Sequence, residues 1–127
     1  MALNPPQLAD GTPTRLEGEY FVLNRKGIEF EVKIPNYGKK SGKGWLVLST
    51  ARLVLVNEKK SDLHAFDVPL AYMFGEKFHQ PIFGANYYSA TTKPLFANII
   101  SGNVPFKLWF MKGGCGKFLT AVKQVLA

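Results

Sequence analysis

At 127 residues with a formal charge of +7, the chain is long enough for one compact domain and too short for two of ordinary size. Apolar residues make up 46% and aromatics 13%, so a core can form without metal or disulfide, and the single cysteine, Cys115, excludes an intrachain disulfide framework. No apolar run reaches membrane-spanning length, Pro5 and Pro6 interrupt the stretch a signal peptide needs, and Ala2 excludes N-myristoylation, so the expected location is cytoplasmic and/or nuclear, with peripheral membrane contact open.

Residues 1–15, with Pro5, Pro6, Gly11 and Pro13, read as a flexible extended arm, which leaves 16–127 as the single domain. Glu19–Leu23 is expected as the first strand, and Asn24–Gly27 as a hairpin turn with glycine available for a positive φ. Ile28, Phe30, Val32 and Ile34 alternate with Glu29, Glu31 and Lys33, the pattern of a strand with one face in the core. Gly38–Gly44 reads as a flexible basic loop. Trp45–Leu48 and Leu53–Val56 are central strands joined through Ser49–Arg52, and Ala65–Val68 is another, ended by Pro69.

Leu70–Phe74 is expected as a short strand and Pro81–Tyr88 as an irregular one, with Gly84 marking a bulge or a close backbone approach. The pattern weakens from Ala90 to Pro105, where a long loop tucks Phe96 and Ile99–Ile100 against the body. Phe106, Leu108 and Phe110 form the last strand. Phe118, Leu119, Val122, Val125 and Leu126 then fall on one stripe of a closing helix, which is too short to persist in water without docking.

Charge is unevenly spread. Acidic residues stop at Glu76, while Lys77, Lys93, Lys107, Lys112, Lys117 and Lys123 follow it. A second basic region holds Lys33, Lys39, Lys40, Lys43, Arg52, Lys59 and Lys60, opposed within its span by Glu58 alone. Lys39, Lys40, Lys43, Lys59 and Lys60 are therefore the candidate lipid or anion site, against the blander reading of lysines that keep a small domain soluble. Tyr87 and Tyr88 are the protein-interaction candidates, since consecutive strand residues face opposite sides and one of them should be exposed.

Catalytic chemistry finds little support. Gly113–Lys117 lacks the Walker loop's glycine at Met111 and its Ser/Thr at Phe118, so it reads as a glycine turn into the helix. Cys115, between Lys112 and Lys117 near a helix start, has surroundings that could lower a thiol pKa, but a small packed residue is the preferred reading. His64 and His79 belong to no metal-binding spacing, and Asp67 reads as a hydrogen-bonded strand carboxylate. The chain is expected to be no enzyme and to use no metal or cofactor.

The stretch Lys77–Tyr87, taken with Ala65–Leu70 and Met1–Asn4, resembles the GRAM domain of the WW-domain-binding protein 2 family. The likeness covers roughly residues 15 to 127 and is most specific at Gln80–Tyr87, a block assigned first to fold specificity. It implies a mainly β, pleckstrin-homology-like sandwich or barrel of about seven antiparallel strands closed by one C-terminal α-helix. It also implies a non-enzymatic adaptor or coactivator-type module that binds anionic phosphoinositide membranes, protein partners, or both; the alternative is a pure protein–protein adaptor of the transcription-coactivator type. WW-domain binding does not carry over: the only Pro-Pro pair, Pro5–Pro6, is followed by Gln7–Leu8, with leucine in place of the tyrosine of a Pro-Pro-x-Tyr motif. Nucleic acid ranks last among partners, because the aromatics that would stack bases, Tyr87, Tyr88, Phe106 and Trp109, occupy strand positions that favour burial.

Overall fold

Alternation shapes the longest strand. In β2 (Phe21–Ile34), Ile28, Phe30, Val32 and Ile34 are buried while Glu29, Glu31 and Lys33 face outward. The computed structural model, which describes residues 1–59, 61–96 and 98–126, continues this strand through Asn24–Gly27, where a hairpin turn was expected. Gly27 does take a positive φ of 72°, but as a bulge in the pairing between Lys26 and Ile28. Bulge and turn both call for the same backbone freedom, so residue type alone does not separate them.

β3 (Gly38–Ser49) runs back along β2, which corrects a second expectation: Gly38–Gly44 is a paired strand and not a flexible loop. The reversal lies at Pro35–Tyr37, with Asn36 at φ 69° and Gly38 at φ 83°. Lys39 and Lys43 meet Glu31 and Glu29 of β2 at 3.3 Å and 3.4 Å, and these cross-strand pairs offset the poor strand propensity of lysine and glycine. Glycine is required at Gly44, where a Cβ would run into the carbonyl oxygen of Val56. Gly44→Ala is therefore expected to lower stability by about 2 kcal/mol, read as a lower urea midpoint; an unchanged midpoint would show that β4 moves aside freely.

β4 (Arg52–Asn57) and β5 (Ala65–Pro69) follow as expected, and Pro69 does end its strand. The stretch after it begins with one 3-10 turn, Leu70–Tyr72, before β6 (Met73–His79). Residues 80–86 are a loop and not the start of an irregular strand, and β7 (Tyr87–Thr92) comes after them. β7 and β8 (Val104–Phe110) extend into both ends of the expected Ala90–Pro105 loop. With β1 (Ala2–Leu3), the strands form one antiparallel sheet in the order β1-β5-β4-β3-β2-β8-β7-β6, curled into a half-barrel. The sheet is continuous because β2 pairs with β3 on one side and with β8 on the other.

The inner face carries the core: Phe30, Phe66, Phe106, Leu46, Leu48, Leu53, Leu55 and Leu108 are all buried. One end is closed by α1 (Cys115–Leu126), which starts after glycine residues at φ 73° and 92°, the turn read from Gly113–Gly114. Cys115, Phe118 and Val122 are buried, with Leu119 and Val125 half-buried against the core; Leu126 falls off the stripe and is exposed.

The outer face has a smaller apolar cluster of Val47, Val54, Val56 and Ala65 with Trp45 packed on it. This cluster explains where residues 1–15, expected as a flexible arm, are placed. Met1 is buried, β1 pairs with β5, and a small loop closed between Gln7 and Pro13 lays Gly11 against the Trp45 ring. Arg52 clamps the segment further along. Its guanidinium donates to Glu19 Oε2 at 2.8 Å, to Asp67 Oδ2 at 3.1 Å and to the Thr14 carbonyl at 2.9 Å.

Candidate functional site

Strand register decides which side chains share a surface. Odd-numbered residues of β2 beyond its bulge, and of β3, β7 and β8, face outward, and cross-strand partners line up in rows. One row runs Lys43, Glu29, Trp109, Tyr87, His79 across β3, β2, β8, β7 and β6. The next runs Ser41, Glu31, Lys107, Ser89, Lys77 across the same strands, and beyond it Lys33 and Lys39 stand directly opposite each other. Lysines 33, 39, 43, 77 and 107 thus share this face with Glu29 and Glu31 in the two rows and with Glu58 beside Lys43.

The aromatic row is ordered by its own contacts. His79 and Tyr87 stack at 4.2 Å with their planes 7° apart, and Tyr87 meets Trp109 at 5.7 Å. Lys107 places its ammonium 5.8 Å from the Tyr87 ring centre, and His79 Nε2 is 2.9 Å from Ser89 Oγ. Beside the row, Lys33, Lys107, Ser89, Thr91 and Glu31 line an open cleft of ≈ 370 Å³. Two ammonium groups and two hydroxyls suit an oxyanion such as a phosphate group, and Lys39 already engages the one carboxylate.

The five lysines proposed from sequence do not form one site. Lys39 and Lys43 lie on the outer face, while Lys40, which pairs with the buried Val32, turns the other way and meets Asp62 at 2.8 Å. That contact, a hydrogen bond from Lys40 backed by its charge, holds the Asp62 carboxyl below its ordinary pKa. Lys59 is exposed on the β4–β5 connection, and Lys60 lies outside the described residues. Of the two tyrosines, Tyr88 is buried, its ring edge-on to Phe118 at 5.1 Å and its pKa raised by burial, which removes it from the interaction candidates. Tyr87 is the half-exposed one. Cys115 is buried, and burial pushes its thiol up to about 11, the reverse of an activated nucleophile.

Three partners were not grouped with the predicted site by sequence reading: Lys107, Trp109 and His79 reach it only through the pairing of β8 with β2 and of β7 with β6, which local pattern does not encode. A further feature was visible but read differently. Ile82 and Phe83 are 93% and 91% exposed at the tip of the β6–β7 loop, between Pro81 and Gly84, where they were expected within a strand.

Comparison with known proteins bears on the whole arrangement. No family model matches the chain. It is 36% identical over 85 residues to a stress-induced protein of Schizosaccharomyces pombe, matching 66% of this chain and 49% of that protein. Against human WW domain-binding protein 2 it is 30% identical over 92 residues, 72% of this chain and 35% of the relative. The chain thus spans about half the length of the first relative and about a third of the second, and neither name is that of an enzyme. In fold it is similar to the Vps36 N-terminal PH domain, with a TM-score of 0.71 over 94% of this chain and 88% of that one at 16% identity. By its resemblance in sequence and its curled sheet closed by a single helix, the chain is a GRAM-type, pleckstrin-homology-like domain of the WW domain-binding protein 2 family.

Proposed function

We propose that this chain is a non-catalytic interaction module that settles on anionic, phosphoinositide-bearing membrane surfaces through the outer face of its sheet. The observation that carries this reading is the clustering of Lys33, Lys39, Lys43, Lys77 and Lys107 around the His79–Tyr87–Trp109 row, where they outnumber Glu29, Glu31 and Glu58. Lys33 and Lys39 support it in particular: like charges directly opposite each other disfavour the sheet, and an anion between them would relieve the repulsion. In this reading the protein is cytoplasmic or nuclear and attaches to a membrane peripherally.

Co-sedimentation with phosphoinositide-containing and neutral vesicles tests it. Each lysine at an anionic surface is worth about 1 kcal/mol, so a Lys33/Lys39/Lys107→Ala triple variant is expected to bind about a hundredfold more weakly at low salt. Lys40→Ala, on the other side of the strand, should bind nearly as the parent does. A folded parent chain that binds neutral and anionic vesicles equally, or neither, would sink the lipid reading. Weight would then pass to a protein partner seated on the half-exposed His79–Tyr87–Trp109 row, since Tyr and Trp are favoured at interfaces. The WW domain of the relative's name is not that partner through Pro5–Pro6: Pro5 is buried here and Leu8 stands where the motif has tyrosine.

A further inference from the structure

The loop 80–86 offers the most exposed large apolar side chains among the described residues, Ile82 at 93% and Phe83 at 91%. They are adjacent and sit on an anchored base. Asn86 accepts a 3.0 Å hydrogen bond from the Phe110 N–H, the His79–Tyr87 stack closes the foot of the loop, and Gly84 at φ 100° turns the chain. Such a pair is left unburied by its own domain, and water disfavours leaving it out.

Charge at the same end of the sheet points to what covers it. Phe110 bonds Asn86, the Met111 N–H donates to the Gly27 carbonyl at 2.9 Å, and Arg25 Nε donates to the Gly113 carbonyl at 3.2 Å. These contacts bring the loop, the β2 bulge and the turn into α1 to one end of the sheet. Arg25, Lys26, Lys43 and Lys112 lie there, with Glu29, already engaged by Lys43, and Glu58 as the nearby carboxylates. Met111 adds a third exposed apolar side chain, at 52%.

We propose that Ile82 and Phe83 form a membrane-inserting tip, which enters the acyl boundary of an anionic bilayer while the surrounding cations rest on its headgroups. The inference deepens the membrane reading above and rests on it. A bilayer fits better than a protein groove because the tip is almost fully exposed, shares its end of the sheet with a group of cations, and needs no shaped socket in a fluid partner.

Phosphatidylcholine vesicles with and without phosphatidylserine provide the test, using the full chain. An Ile82→Ser/Phe83→Ser variant should keep the parent's melting temperature, since both side chains are exposed, yet bind anionic vesicles about tenfold or more weakly. Phe83→Trp should show blue-shifted emission on anionic vesicles and be quenched by brominated acyl chains beyond the quenching of the native tryptophans. Parent-like binding of the double serine variant, or a Phe83→Trp probe that stays unquenched, would overturn the tip while leaving the membrane reading standing. A parent chain that binds no vesicle would overturn both. Loss of a protein partner in the double serine variant, with vesicle binding intact, would assign the tip to a protein socket instead.

Discussion

Arg52→Ala is expected to cost about 3–5 kcal/mol of stability, the range for breaking a buried ion pair by removing one partner. Arg52, Glu19 and Asp67 are 4%, 2% and 8% exposed, so the truncation leaves two carboxylates sequestered without their cation. The loss is compounded because the same guanidinium holds Glu19 Oε1 and the Thr14 carbonyl, while Ser49 donates its hydroxyl to Glu19 Oε2 at 2.6 Å. Urea denaturation should show the fall, and proteolysis should begin within residues 14–20 before the sheet opens. A loss below about 1 kcal/mol would mean that water reaches the carboxylates and that they behave as a surface pair.

Acid should reproduce part of this effect. Burial alone would raise the Glu19 pKa, but hydrogen bonds from Arg52, the Leu16 N–H and Ser49 outweigh it and hold the carboxyl below its ordinary value. A carboxylate depressed in the folded state contributes stability that is complete above its unfolded pKa and is lost as pH falls through the folded one. The parent should therefore weaken below the usual glutamate range. Glu19→Gln, already short of its charge, should show a shallower acid limb from a lower starting stability.

Phe118→Ala is the second large effect, expected at about 3–5 kcal/mol for deleting a buried aromatic ring. Phe118 is fully buried and lies 5.1 Å from the Tyr88 ring and 5.3 Å from that of Phe110. The twelve residues of α1 are too few to stay helical in water unaided, so losing this anchor should release helix and core together. Helical circular dichroism and Tyr88 exposure should change in one transition, at lower temperature than in the parent. Leu126→Ala provides the contrast, because that side chain is 51% exposed and should shift stability by less than about 0.5 kcal/mol. Survival of a cooperative, parent-like melt in Phe118→Ala would show that the sheet is stable without the helix.

What could be read from sequence followed the range of the interaction. The Ile28–Ile34 alternation, the apolar runs of β3 and β4 and the α1 stripe are set by neighbours a few residues away, and each was legible. Gly38–Gly44 was misread because Lys and Gly favour loops locally, while the opposing Glu29 and Glu31 that make the segment a strand come into view only with the register. The surface site depends still more on distance. Lys107 and Trp109 reach Glu31 and Glu29 through a pairing of strands far apart in the chain, and Arg52 finds Glu19 and Asp67 with no local signal. Ile82 and Phe83 were misread for the opposite reason: apolar residues are ordinarily buried, and nothing in their own sequence states that the loop holds them outside.

The pairing of β2 with β8 also orders events in time. During synthesis, β2 can zip onto β3 as soon as both are made, yet its other edge has no partner until Val104–Phe110 leaves the ribosome. Until then the nascent chain carries an open backbone edge and an incompletely covered row of Ile28, Phe30 and Val32, the combination that recruits chaperones or wrong partners. A chain stalled before residue 104 should accordingly be held by chaperones, and release should coincide with the arrival of the eighth strand.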